Sequence, residues 1–127
     1  MRRNRVSLGI LLAILVALVL IFRGRRTQEF EYEEFKLENS GLQYTRHARC
    51  RMECRQISEN EVREIIQQGK INRRKSDPAD KPCPTYALEG YSSGDRQHIR
   101  VVVARCGDLT KVITCIDLDN EYSCNCK

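Results

Sequence analysis

His47, Arg51 and Arg55 stand at i, i+4 and i+8 in the segment HARCRMECR. On a helix His47 and Arg51 share one face, and Arg55 stands at the edge of the neighbouring Ala48 and Met52 face. Imidazole titrates near neutrality and can move a proton. Guanidinium forks match phosphate oxygens. The set is therefore a candidate catalytic group for a metal-independent ribonuclease, or an RNA contact, with Arg96, His98 and Arg100 as further groups. The stretch from Arg46 to Lys75 holds nine basic and four acidic residues. The same side chains also suit structural work. His47 can hydrogen-bond within the fold, and Arg51 and Arg55 can pair with Glu61, Glu89 or Asp117.

The second group is seven cysteines: Cys50, Cys54, Cys83, Cys106, Cys115, Cys124 and Cys126. Cys50, Cys54, Cys124 and Cys126 could surround zinc tetrahedrally, as could three of them with His47. Zinc is the cofactor this pattern admits, although Cys-x-x-x-Cys and Cys-x-Cys differ from the usual Cys-x-x-Cys knuckle. Disulfides compete and are favoured. In an oxidising compartment the same four residues would tie helix to tail, Cys50 or Cys54 with Cys124 or Cys126. A bridge within one helical turn would be strained. Cys106 and Cys115 flank a hairpin and could face each other, or pack as small apolar residues. An odd count leaves at least one thiol free.

These groups need elements to hold them. The spacing predicts a first helix from Leu42 to Arg55, with Ala48 and Met52 on the buried side and His47, Cys50, Arg51 and Cys54 on another. Ser58-Glu59-Asn60-Glu61 is a capping box for a second helix, with Val62, Ile65 and Ile66 as its apolar stripe and Gly69 as its stop. Arg73 to Pro84 reads as a polar loop with Asp77-Pro78 and Lys81-Pro82 turns. Strands follow at Tyr86 to Tyr91, His98 to Cys106 and Lys111 to Leu118, separated by turns at Ser92–Asp95 and Gly107-Asp108. In the last strand, Val112, Thr114, Ile116 and Leu118 alternate with Lys111, Ile113, Cys115 and Asp117. Asp117 and Asp119 are expected to be exposed at its end. The fold class is α+β: two helices packed on a small antiparallel sheet.

The run HARCRMECRQISENEV fits His-Ala-x-x-Arg-Met-x-x-Arg-x-Ile-Ser-x-x-Glu-Val over His47, Ala48, Arg51, Met52, Arg55, Ile57, Ser58, Glu61 and Val62. The downstream YALEGYSSGDRQHIRVVVARCGDLTKVITCIDL fits companion hairpins. Together, from Leu42 to Leu118, they resemble the bacterial domain-of-unknown-function family 4258. That resemblance implies a small RelE- or BrnT-like fold, a group that includes metal-independent ribonucleases; kinship at the level of fold does not set activity.

Ahead of this domain, residues 6–22 form an uncharged apolar run of 17 residues, with Arg2, Arg3 and Arg5 before it and Arg23, Arg25 and Arg26 after. A span takes roughly 17–25 such residues. The sequence therefore predicts residues 1–26 as a basic-flanked transmembrane anchor, 27–41 as an acidic tether and 42–127 as the domain with its cysteine-rich tail. A retained anchor is favoured over a cleaved signal, because no small-x-small site follows the run. The chain has 22 basic and 17 acidic residues; six of the basic ones precede Thr27, which leaves 16 against 17 beyond it. The domain has no bulk positive field that would demand nucleic acid. Phosphate-loop, Gly-x-Gly-x-x-Gly, Gly-x-Ser-x-Gly and His-Glu-x-x-His motifs are missing from the sequence. The expectation is a single-pass inner-membrane protein, its domain extracytoplasmic, acting as a noncatalytic interaction or accessory module with an envelope protein partner. The alternatives are an RNase-like domain that binds RNA and a zinc-binding module.

Overall fold

The computed structural model describes residues 8–24 and 41–127. They belong to two compact units, one within 1–33 and the other within 34–127.

The first unit holds helix α1, Leu8–Gly24. Leu8 is 81% and Phe22 71% exposed, and its leucines and isoleucines have no apolar cover. A helix that is apolar all round ordinarily lies in lipid or in a protein core. Its 17 residues reach about 25 Å at 1.5 Å per residue, short of a hydrocarbon layer of about 30 Å. No helix among the described residues is long and apolar enough to cross a membrane. The expected transmembrane helix is corrected to that extent. The rest of the expected anchor, and the tether before Gly41, lie outside the described residues.

The second unit is α+β, as expected, but its sheet is mixed and has five strands. The elements run β1 Leu42–Tyr44, α2 Arg46–Arg55, α3 Glu59–Gln68, β2 Lys70–Ile71, a 3-10 turn Arg73–Lys75, β3 Thr85–Tyr91, β4 His98–Cys106 and β5 Leu109–Asp117. The strand order is β1-β5-β4-β3-β2. β1 lies parallel to β5, pairing Leu42 with Thr110 and Tyr44 with Val112, and the other pairs are antiparallel. The expected helix from Leu42 to Arg55 is thus a strand and a shorter helix. Thr45 divides them: its hydroxyl accepts from the Ala48 N–H at 3.0 Å as N-cap, while its own N–H donates to Val112 O.

α3 begins with the expected capping box: Ser58 Oγ accepts from Glu61 N–H, and the Glu61 carboxylate accepts from Ser58 N–H at 2.8 Å. It ends at Gly69, where a Cβ would stand 2.3 Å from Ile65 O and 3.0 Å from Glu89 O. Only glycine allows that approach.

α2 packs on β5, and α3 on β3 and β4. Ala48, Met52, Ile57, Val62, Ile65 and Ile66 meet Leu88, Ile99, Val101, Val103, Val112 and Cys115 in one core. The simple alternation expected along β5 breaks. Val102 pairs with Thr114 but Val103 with Val112, a bulge that leaves Ile113 over. Val112 and Cys115 therefore both reach the core, though three residues apart.

The register gives the sheet two distinct ends. Leu42, Thr85, Cys106 and Leu109 lie at one; Tyr91, His98 and Asp117 lie at the other.

Candidate functional site

The helix α2 residues singled out for chemistry do not converge. Arg51 Nε donates to His47 Nε2 at 3.3 Å. Arg55 turns elsewhere, and its Nη1 donates to the carbonyl of Cys115. Eight residues advance a helix by about 80° beyond full turns, enough to take Arg55 off the His47 line. Burial and the nearby Arg51 charge lower the pKa of Arg55, although arginine stays protonated.

The cysteines are spent on bridges. Cys50 joins Cys126, Cys54 joins Cys124, and Cys83 joins Cys106. The zinc reading of Cys50, Cys54, Cys124 and Cys126 is corrected accordingly, since a half-cystine offers no thiolate. Among the described residues no group of three or more His, Cys, Asp or Glu side chains could hold a metal ion. Cys106 does not face Cys115; Val101 does. Cys115 is the free thiol, fully buried, and burial pushes its pKa up to about 12.

The groups that do converge lie at the His98 end of the sheet. A cleft of about 240 Å³ opens there between the end of α2, the β3–β4 turn and the start of the C-terminal tail. Its lining includes Arg55, Arg96, Gln97, His98, Asp117, Asp119 and Tyr122. Gln97 is the hub: its Nε2 donates to Asp117 Oδ2 at 2.6 Å and to Arg55 O at 3.0 Å. Its Oε1 is buried without a hydrogen-bond partner. Asp117 is 5% exposed, against the expectation of an exposed strand end. It also accepts from the Asp119 and Asn120 N–H groups at 2.9 and 2.8 Å and from the Asn120 amide. Burial pushes its pKa up, but the bonds from Gln97, Asp119 and Asn120 outweigh this and leave it lowered. Asp119 is exposed as expected, with its Oδ1 3.4 Å from His98 Nδ1. The His98 ring stacks on Tyr91 at a 4.3 Å centroid separation.

Two residues at this cleft, Gln56 and Arg96, hold left-handed backbone at φ 56° and 60°. Non-glycine residues there are uncommon. Gln56 caps α2, and its N–H donates to Glu53 O. Arg96 sits in the turn held by Ser92 and Asp95, whose oxygens accept from Gln97 N–H. Sequence reasoning passed over Gln97, whose role needs the partners above. Asp117 carried a usable signal, because an aspartate followed by Asp-Asn can accept N–H bonds two and three residues on.

The family model for the domain of unknown function DUF4258 matches residues 44–117. The chain belongs to that family. The DUF4258 match takes in α2, α3 and the sheet from Tyr44 onward, which includes His47, Arg51, Arg55 and His98. It stops at Asp117, so Tyr122, Cys124 and Cys126 fall outside it. Two bridges thus tie the family core to a segment beyond the family match. Comparisons with curated proteins and with solved structures gave no match.

Proposed function

We propose that this DUF4258 chain is a noncatalytic binding module that works outside the cytoplasm, held at a membrane by its apolar N-terminal segment. The observation that carries the reading is the pairing of six of seven cysteines. Such bridges persist in oxidising compartments. The exposed apolar surface of α1 supports contact with lipid. The cleft at Gln97 and the adjoining Tyr91–His98 stack supply a rigid polar surface for a protein partner in the envelope.

The test uses a membrane-impermeant thiol reagent on intact cells, with and without an external reductant. Labelling only after external reduction is the expected result. Thiols that stay protected until lysis and then react without reduction would place the domain inside and end this reading. Partner binding is tested by co-purification in mild detergent. Arg96→Glu should remove the partner while leaving the bridges intact.

A second reading, an RNase-like domain, draws on one arrangement: His98 beside Asp119, with Arg96 at the same cleft. It moves the candidate chemistry away from His47, whose ring is engaged by Arg51. Cleavage of RNA by the purified chain, lost in His98→Ala with the fold intact, would support it. Equal cleavage by wild type and variant would sink it.

A further inference from the structure

Hydrogen bonds fix most of the chain around the cleft, but one wall lacks them. Asp117 holds the chain as far as Asn120 by accepting from the Asp119 and Asn120 N–H groups. Among the described residues, 121–127 take no part in any hydrogen bond, ion pair or ring contact. Their fixed points are Cys124, bridged to Cys54, and Cys126, bridged to Cys50. Tyr122 belongs to this segment and lines the cleft. The Tyr122 wall is thus held between a hydrogen-bonded Asn120 and a covalently fixed Cys124.

The three bridges are not alike. Cys83–Cys106 joins segments that are already paired: Arg105 N–H donates to Pro84 O, Asp77 and Thr85 exchange backbone bonds, and Thr85 pairs with Ala104. Opening it would leave both its cysteines in place. The tail bridges have no such support, and they also differ from each other. Cys54 directly precedes Arg55, and Cys124 lies two residues after Tyr122, so this bridge sits at the cleft. Cys50 lies about one helical turn back toward the start of α2. If Cys54–Cys124 opens while Cys50–Cys126 stays shut, the stretch between fixed points grows from 121–123 to 121–125. The added freedom falls on Tyr122, which no hydrogen bond restrains. Opening Cys50–Cys126 instead frees only the residues past Cys124.

We propose that Cys54–Cys124 is a redox latch on the cleft, opened by a protein dithiol. This rests on the binding-module reading and adds its regulation: the latched Tyr122 wall completes the binding surface, and opening the bridge releases the bound partner. Cys124 offers the sulfur for attack, since its neighbours Ser123 and Asn125 are exposed. A thiolate of the dithiol attacks Cys124 Sγ, the Cys54–Cys124 bond breaks, and Cys54 leaves as a thiolate that takes up a proton. The second sulfur of the dithiol, once deprotonated, attacks the mixed disulfide and displaces Cys124, which takes up a proton in turn. Two electrons and two protons pass to the bridge, and the dithiol ends as a disulfide.

The sequence has no tryptophan, so Tyr122→Trp supplies a single fluorescent reporter in the full-length chain in mild detergent. Its quenching by acrylamide should rise roughly threefold when Cys54→Ser and Cys124→Ser are added. With Cys50→Ser and Cys126→Ser instead, it should stay at the starting value. Limited dithiothreitol followed by iodoacetamide should label Cys54 and Cys124, read by mass spectrometry, while the β4 amides stay protected from hydrogen exchange. An unchanged reporter in the Cys54→Ser, Cys124→Ser protein would show that the tail packs without its bridge and would overturn the latch. Labelling that appears only once the β4 amides lose protection would make the bridge a staple of the fold and overturn it too. Partner recovery is compared in chains that keep Tyr122, and should fall about tenfold in Cys54→Ser, Cys124→Ser as the ordered wall is lost. Equal recovery by this variant and the wild type would overturn the regulation and keep the binding module. Recovery by neither would end the module and its regulation together.

Discussion

Arg55 and Asp117, which sequence spacing had assigned to catalysis and to solvent, are both engaged in hydrogen bonds within the fold. Arg55 satisfies the carbonyl of Cys115, and its own carbonyl accepts from Gln97. Arg55→Met should cost about 1–3 kcal/mol in chemical denaturation, because the Cys115 carbonyl is left unpaired. Asp117 has a native pKa below its unfolded value, set by burial opposed and outweighed by hydrogen bonds. A carboxylate depressed in this way contributes stability that is complete above the unfolded value of about 3.9 and lost as pH falls through the native one. Wild type should therefore lose stability on acidification through that window, and Asp117→Asn should lose less. Parallel acid dependence of the two proteins would show that the Asp117 network contributes little. Cys115, its thiol pushed up to about 12 by burial, should resist a maleimide in the native protein at neutral pH. One thiol per chain should then react on unfolding without reduction; rapid labelling of the native protein would contradict the buried placement.

At the scale of elements, the tail and α2 behave as one unit. Cys50–Cys126 and Cys54–Cys124 close separations of 76 and 70 residues. Each alone would restrain the unfolded chain by about 4 kcal/mol. Once one is closed, the other closes a ring of only about eight residues and adds about 2–3 kcal/mol. Cys54→Ser with Cys124→Ser should therefore cost about 2–3 kcal/mol, whereas loss of both bridges should cost about 7, more than the sum of the separate losses. Urea denaturation of the three proteins measures this. The N-cap of α3 is a separate and smaller contribution: Ser58→Ala should cost about 1 kcal/mol.

At the scale of the whole molecule, a small domain with one core is held by three bridges. Domains of this size bury a modest fraction of their surface, so covalent staples carry much of the stability. Full reduction should abolish cooperative thermal unfolding near physiological temperature, read by circular dichroism. A sharp transition that survives reduction at an unchanged midpoint would mean that the core suffices alone.

Local patterns were legible because their causes are local. The capping box at Ser58, the apolar stripe Val62, Ile65 and Ile66, the valine-rich β4 and the Gly107-Asp108 turn each follow from spacing and residue type, and each stands in the structure. So did the disulfide preference between α2 and tail, although spacing left open which cysteine meets which. The β1 strand was hidden because three residues carry too little alternation to compete with the helix beside them. Its pairing depends on β5, more than sixty residues away. The β5 bulge was hidden for a related reason: a period-two reading cannot register one extra residue. The Cys83–Cys106 pair, the burial of Asp117 and the Gln97 cleft all require segments distant in sequence to meet. By itself the sequence determined the capped helix α3, the hairpin strands and the family. Tertiary structure decided which polar groups share a site, because hydrogen bonds and bridges between distant residues depend on how the layers pack rather than on any local period.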